Sequence, residues 1–224
     1  MGVEAAVSSR EDLLRRIRAA IGDVPVTDAA AVRSEWDALP RNYRRTASLE
    51  REAILEMLED RLRDYDASVV RAKTGEISEA IGKILTERGK RRIVIPVGLA
   101  EALGETLPPG FEFVVDEGLT SAKLDAFEGV LTASTVAIAE TGTIVLQNVP
   151  GQGRRAPTLI PDYHLCVVRA DAVVETVPEA MLRLQATASL ATTFVSGPSA
   201  TADIEMTRIK GVHGPRFLDV ILSM

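Results

Sequence analysis

The chain has 224 residues and a hydrophobic fraction of 46%, which fits one large α/β domain, or one domain with a helical extension. Its formal charge of −6 argues against a general nucleic-acid binder, which needs a basic face. A single cysteine, Cys166, forms no internal disulfide and cannot hold an iron–sulfur cluster, which takes about four protein ligands, so the count fits a reducing, cytoplasmic setting.

The N-terminus meets Glu4, Arg10, Glu11 and Asp12 with no apolar core, so it does not read as a signal peptide. Ala6 breaks the myristoylation pattern, and no apolar run is long enough to cross a bilayer. Ser9 to Ile21 predicts a helix, with Leu13, Leu14, Ile17 and Ile21 on one face and Arg15, Arg16 and Arg18 on the other. Residues 23–46 read as a long connection carrying Pro25, Pro40, Trp36 and the run Arg41-Asn42-Tyr43-Arg44-Arg45. The boundary falls there: residues 1–47 form a helix and extended connection, and 48–224 the main domain.

Ser48 to Tyr65 predicts a helix whose stripe is Ile54, Met57, Leu58, Leu62 and Tyr65. Strands are expected at 67–72, 92–97, 111–115 and 162–169, with helices at 75–88, 120–127 and 178–190 and a helical turn at 100–103. Residues 129–139 and 143–146 are apolar, joined at Glu140-Thr141-Gly142 as a hairpin or sharp bend. Residues 191–195 and 217–222 are expected to close the sheet. Alternation of helices with near-continuous apolar strands predicts an α/β fold with a mostly parallel sheet flanked by helices.

Three stretches carry possible chemistry. Glu140 is the only charged residue from Gly129 through Gly153. A carboxylate so isolated reads equally as a general base or nucleophile and as a turn glutamate bonding backbone N–H groups or an arginine. Gly151-Gln152-Gly153-Arg154-Arg155 is a glycine loop ending in two guanidinium groups. It suits a carboxylate or phosphate, or is a plain surface turn. The stretch from Ser196 to Glu205, then Gly211 to Pro215, leaves a predicted strand and is dense in hydroxyls and turn residues. There Ser199 or Thr201 reads as a helix N-cap, Asp203 as an orienting or pairing group, and His213 as an acid/base in a tight turn or a histidine bonding backbone. His164 and Cys166 share one strand face; a buried thiol beside a polar-tipped core residue outweighs a metal pair, and no metal site is expected.

Together Ala139-Glu140-Thr141-Gly142-Thr143, Ser196-Gly197-Pro198-Ser199 with Thr201-Ala202-Asp203-Ile204-Glu205, and Gly211-Val212-His213-Gly214-Pro215 resemble the LUD-domain family. More narrowly they resemble its lactate utilization protein C group, over roughly residues 48 to 222. The resemblance implies a fold similar to the sugar-phosphate isomerase and CoA-transferase superfamily. It implies work beside partner proteins that hold iron–sulfur clusters and together oxidise L-lactate to pyruvate as a carbon source, with no cofactor in this chain. The Ala139-Glu140-Thr141-Gly142 turn is also similar to the Ser-Glu-Asn-Gly turn of CoA transferases, whose glutamate is the nucleophile; Ala139 and Thr141 depart from that pattern.

On this reading the chain is a non-redox subunit of a lactate-oxidising system with a pocket for a small carboxylate. Glu140, Asp203 and His213 would be its catalytic groups. Thr141, Gly142, Thr143, Gly153, Arg154, Arg155, Ser196, Gly197, Ser199 and Thr201 would bind the ligand. The alternatives are an independent transferase or isomerase using Glu140, and a scaffold whose motifs are only tight turns.

Overall fold

Helix α1, Ser9–Ile21, opens a computed structural model that describes residues 9–22, 28–201, 209–211 and 213–224. Its stripe is not inward: Leu13, Ile17 and Ile21 are exposed, and no residue of α1 is buried. Within the expected connection lies a second helix, α2, Ala29–Ala38. Asp28 caps it by accepting from Ala30 N at 3.0 Å, and three alanines, the best helix formers, start it. No face of α2 is buried, so apolar periodicity did not announce it. Arg41 donates to the Trp36 carbonyl at 2.7 Å and lies over its ring. The chain divides into two compact units at this point, one ending at Tyr43 and one running from Arg44.

The second unit begins with α3 (Arg51–Asp64), β1 (Ser68–Ala72), α4 (Ile77–Glu87), β2 (Arg92–Ile95) and α5 (Leu99–Leu103). Then come β3 (Glu112–Val115), α6 (Ser121–Leu124), β4 (Gly129–Thr132), β5 (Val136–Ile138) and β6 (Thr143–Gln147). A 3₁₀ turn at Ala156–Thr158 leads to β7 (Tyr163–Arg169), β8 (Val173–Val174) and α7 (Val177–Leu184). Last are β9 (Thr192–Val195), β10 (Ala200–Thr201), β11 (Ile209–Lys210) and β12 (Phe217–Ser223).

Six strands form the central sheet in the order β1-β12-β7-β4-β2-β3, and every pairing is parallel. One face packs on α3 through Leu55, Leu58 and Leu62 against Leu218, Val220 and Leu222. The other packs on α4 through Ile77, Ile81 and Leu85 against Ile93, Leu131 and Ile221. Each such fully buried side chain contributes about 1.5–3 kcal/mol.

β9 does not close this sheet. It pairs antiparallel with β6 in a second, four-stranded sheet of order β8-β5-β6-β9. Antiparallel strands tolerate a wet face, and Phe194 of β9 is half exposed, whereas β7 and β12 at the centre of the parallel sheet are buried except at one end residue each. β5 and β6 form the hairpin over Glu140-Thr141-Gly142. The expected helix start at Ser199 or Thr201 is instead a strand: β10 pairs antiparallel with β11.

The order of connection reverses between β2 and β4: β2 leads outward to β3, while β4 leads back toward β7 and β12. In open α/β sheets that crevice, at the carboxyl ends, takes the ligand. Here the 150–153 loop bridges it, beside a space of about 790 Å³ lined by Ala133, Ser134, Pro150 and Gln152 among others. Gly151 N donates to Val97 O and Ala133 N donates to Gly151 O, both at 2.8 Å.

Candidate functional site

The two loop glycines are required by packing. A Cβ on Gly151 would stand 2.5 Å from Ala102 Cβ, and one on Gly153 2.8 Å from Pro96 Cβ; both have positive φ. The two arginines that follow meet different surroundings. Arg154 clamps Asp116 with Nε at 2.7 Å and Nη2 at 2.9 Å, and Nη2 also donates to Leu119 O at 2.5 Å. Burial works to raise the Asp116 pKa, but Arg154 and the backbone N–H groups of Leu119 and Gly118 hold it below the usual carboxylate range. Arg155 donates only to Thr158 Oγ1, at 2.9 Å, and has no carboxylate partner among the described residues. Burial lowers its pKa, so its charge is partly desolvated.

Arg155 opens onto a cleft of about 240 Å³. Thr158 and His164 share that cleft, with Ser196, Gly197 and Ser199 on one side and His213 and Gly214 on another. It lies at the carboxyl end of β9 but at the amino ends of β7 and β12, where His164 registers with Leu218. Backbone bonds knit the two loops: Ser199 N donates to Pro215 O at 2.8 Å, Gly211 N to Ser199 O at 2.9 Å, and His213 N to Ser199 Oγ at 3.2 Å. Gly197 has φ +81° and lies against Tyr65 at the end of α3, where a Cβ would stand 2.4 Å from Tyr65 Cβ. Behind the wall, Thr143 Oγ1 bonds Ser196 Oγ and Thr141 Oγ1, each at 2.7 Å.

His164 is buried and its pKa is pushed down to about 4, first by burial and then by the charge of Arg155. Among the described residues the cleft therefore presents one arginine beside the neutral His164 imidazole and several hydroxyls. Such a site binds a small anion through Arg155 and hydrogen-bonds its remaining polar atoms.

Glu140 lies elsewhere, exposed on the hairpin turn with its carboxylate held by Arg44 Nη2. Arg44 Nη1 reaches Glu175, which also accepts from Ser48 N at 2.6 Å, Leu49 N at 2.9 Å and Ser48 Oγ at 3.1 Å. Burial tends to raise the Glu175 pKa, yet Arg44 and the Leu49 and Ser48 donors together hold it down to about 2. The Gly142 turn packs on α3, where an added Cβ would stand 2.8 Å from Arg61 Cβ.

Residues 55–223 match the LUD domain. The chain belongs to the LUD-domain family. It is 44% identical to the lactate utilization protein C of Deinococcus radiodurans over 84% of this chain and 88% of the relative. Identity is 24% to that of Bacillus subtilis strain 168, over 95% of each chain. A crystal structure of a DUF162-family protein from Deinococcus radiodurans superposes with a TM-score of 0.67 at 38% identity, covering 79% of this chain and 100% of that one.

All residues of the cleft fall inside the matched LUD domain, while Arg44, Ser48 and Leu49 precede it. Of the residues singled out from the sequence, Arg155, Ser196, Gly197, Ser199 and His213 come together in the cleft. Thr141 and Thr143 support Ser196 from behind. Gly153 and Arg154 border a neighbouring space of about 140 Å³ that shares Arg155 and Thr158 with the cleft. Thr201 lies in β10, and Asp203 lies outside the described residues. Glu140 and Gly142 form the hairpin turn, away from the cleft lining.

Sequence reasoning passed over Thr158 as a cleft residue and read His164 as core. The signal for His164 was present: it is the one imidazole in the largely apolar strand Tyr163–Arg169. Glu175 gave a similar signal between Val174 and Thr176. Among the described residues no group of His, Cys, Asp and Glu is placed to hold a metal ion, and no helix is long and apolar enough to cross a membrane.

Proposed function

We propose that this protein is a non-redox subunit of an L-lactate-oxidising system, with iron–sulfur clusters in its partner subunits, and that its cleft holds the small carboxylate. Arg155 carries this reading. It is a desolvated guanidinium without a carboxylate partner among the described residues, facing a cleft that also holds His164 and the Ser196 and Ser199 segment. A relative 44% identical is named lactate utilization protein C, which supports a role in lactate utilization. The residues present do not suit a cluster in this chain: the one cysteine is a buried free thiol whose pKa burial pushes up to about 12, so it is no ready thiolate ligand. A buried free thiol also supports a cytoplasmic site of action.

The chemistry assigned to this chain is binding and orientation. Arg155 takes the carboxylate, and the hydroxyl and imidazole groups take the remaining polar atoms, while electrons leave through the partners. The test has two arms. The intact chain should co-purify with iron–sulfur proteins, and deleting its gene should abolish growth on L-lactate; unchanged growth overturns the pathway. Titration of the purified chain with L-lactate should show saturable binding that Arg155→Gln removes. Saturable binding undiminished in Arg155→Gln overturns the assignment of the site.

The transferase or isomerase reading requires the Glu140 carboxylate to attack a substrate. Arg44 occupies that carboxylate in this structure. Turnover of acyl-CoA or sugar-phosphate substrates lost in Glu140→Gln would restore it.

A further inference from the structure

A row of hydrogen bonds leads from the interior to His164 in the cleft wall. Cys166 Sγ lies 3.8 Å from Ala133 O and donates its proton there. Thr132 Oγ1, 3.6 Å from the sulfur, donates to it. A hydroxyl has one proton to give. With that proton on the sulfur, Thr132 Oγ1 accepts at its 2.8 Å contact with His164 Nε2, the arrangement that gives each donor of the row an acceptor. In that arrangement Nε2 carries a proton, and in a neutral ring the lone pair is then on Nδ1. Among the described residues Nδ1 has no hydrogen-bond partner, and no buried side-chain nitrogen or oxygen is left unpaired. The ring lines the cleft, so the cleft is where Nδ1 is open to a partner.

We propose that the Ala133–Cys166–Thr132–His164 row fixes His164 as an Nε2–H imidazole whose Nδ1 accepts the hydroxyl of a 2-hydroxy carboxylate held by Arg155. The proposal rests on the carboxylate reading of the cleft and adds the part that recognises the hydroxyl. Neutrality follows from the surroundings: burial and the neighbouring Arg155 both disfavour an imidazolium. His164 is thus a ligand-binding residue, and Thr132 and Cys166 are positioning residues that act through it. An acid without the hydroxyl leaves Nδ1 unpaired, and sites built to hydrogen-bond a hydroxyl reject such analogues.

The test uses the full chain and two probes, L-lactate and propionate. Long-range ¹H–¹⁵N spectra of the free protein at pH 7 should show His164 as the neutral Nε2–H tautomer. Thr132→Val should give a mixture of tautomers, and Cys166→Ala, which frees the Thr132 proton to point at Nε2, should do the same if the first variant fails to fold. An Nδ1–H tautomer in the wild type overturns the proposal without any ligand. L-Lactate should bind at least about tenfold more tightly than propionate, the worth of one well-made hydrogen bond. His164→Phe should erase that ratio. Equal binding of the two acids by the wild type overturns this proposal and leaves the Arg155 reading standing; binding of neither overturns both.

Discussion

The corner built by Arg44, Ser48, Glu140 and Glu175 and the cleft around Arg155 and His164 use similar side chains to opposite ends. In the corner every strong group is matched. The buried Glu175 carboxylate accepts from two backbone N–H groups, a hydroxyl and Arg44, and Arg44 also takes Glu140. Among the described residues of the cleft, Arg155 has no carboxylate partner and one His164 nitrogen has no hydrogen-bond partner. A saturated network stabilises the fold; unsatisfied groups in a concave site are reserved for something that arrives later. Arg154 and Arg155 repeat the contrast one residue apart.

The largest effect should come from the saturated corner. Glu175→Ala strips Ser48 N and Leu49 N of their acceptor and should cost roughly 3 kcal/mol in urea unfolding. Arg154→Gln should follow at roughly 2 kcal/mol, because it leaves the Asp116 carboxylate without its clamp; Arg154 is open to water, so the cost stays below that of a fully buried pair. Neither change should alter L-lactate affinity beyond about twofold in the folded protein. The cleft should behave the other way. Arg155→Gln should weaken L-lactate binding by roughly tenfold to a hundredfold with stability nearly unchanged. If Arg155→Gln unfolds the protein, or Glu175→Ala abolishes binding in a folded one, the division between the two regions fails.

Acid separates them again. The His164 pKa drops from 6.5 to about 4 on folding, so the unfolded chain binds the proton first. Its contribution is full above about pH 6.5 and is lost as pH falls toward 4. Glu175 drops from 4.5 to about 2, so its contribution is full above about pH 4.5 and is lost as pH falls toward 2. Chemical denaturation at a series of pH values should therefore show stability declining in two successive steps on acidification. His164→Gln should flatten the upper step and Glu175→Ala the lower one. A wild-type curve flat between pH 6.5 and 4 would contradict a buried neutral imidazole in the cleft.

Much of this was written in the sequence. The parallel sheet announced itself through strands such as Tyr163–Arg169, apolar almost throughout because they are covered on both faces. The β5–β6 hairpin was legible from Gly142, and the cleft from Ser196, Ser199 and His213. Other features depended on partners far away in the chain. Nothing local distinguishes Arg154 from Arg155; Asp116, which binds only the first, is 38 residues distant. The second sheet was hidden because β9 differs from a core strand chiefly in which face meets water. Helix α2 was hidden because it buries nothing, so only its cap and its alanines mark it.

The smallest expected effect sharpens the comparison most. Glu140 drew attention as a lone charge in a long apolar stretch, and isolation in sequence suggests a perturbed, reactive group. In space it is not isolated. Its backbone N–H donates to Glu175 O at 3.1 Å, and its carboxylate is open to water and paired with Arg44. Exposed pairs of this kind are screened and contribute little. Glu140→Gln should therefore shift Tm by less than about 2 °C, leave L-lactate affinity unchanged and support growth on L-lactate when it replaces the wild type. A Glu140→Gln protein that folds and binds L-lactate but fails to support growth would move the chemistry from the cleft to the hairpin turn. The Arg44 pair would then be a resting contact that a substrate must displace, and Arg44→Ala should raise turnover by freeing the carboxylate. If Arg44→Ala leaves turnover unchanged, the pair is a surface contact and the cleft keeps its role.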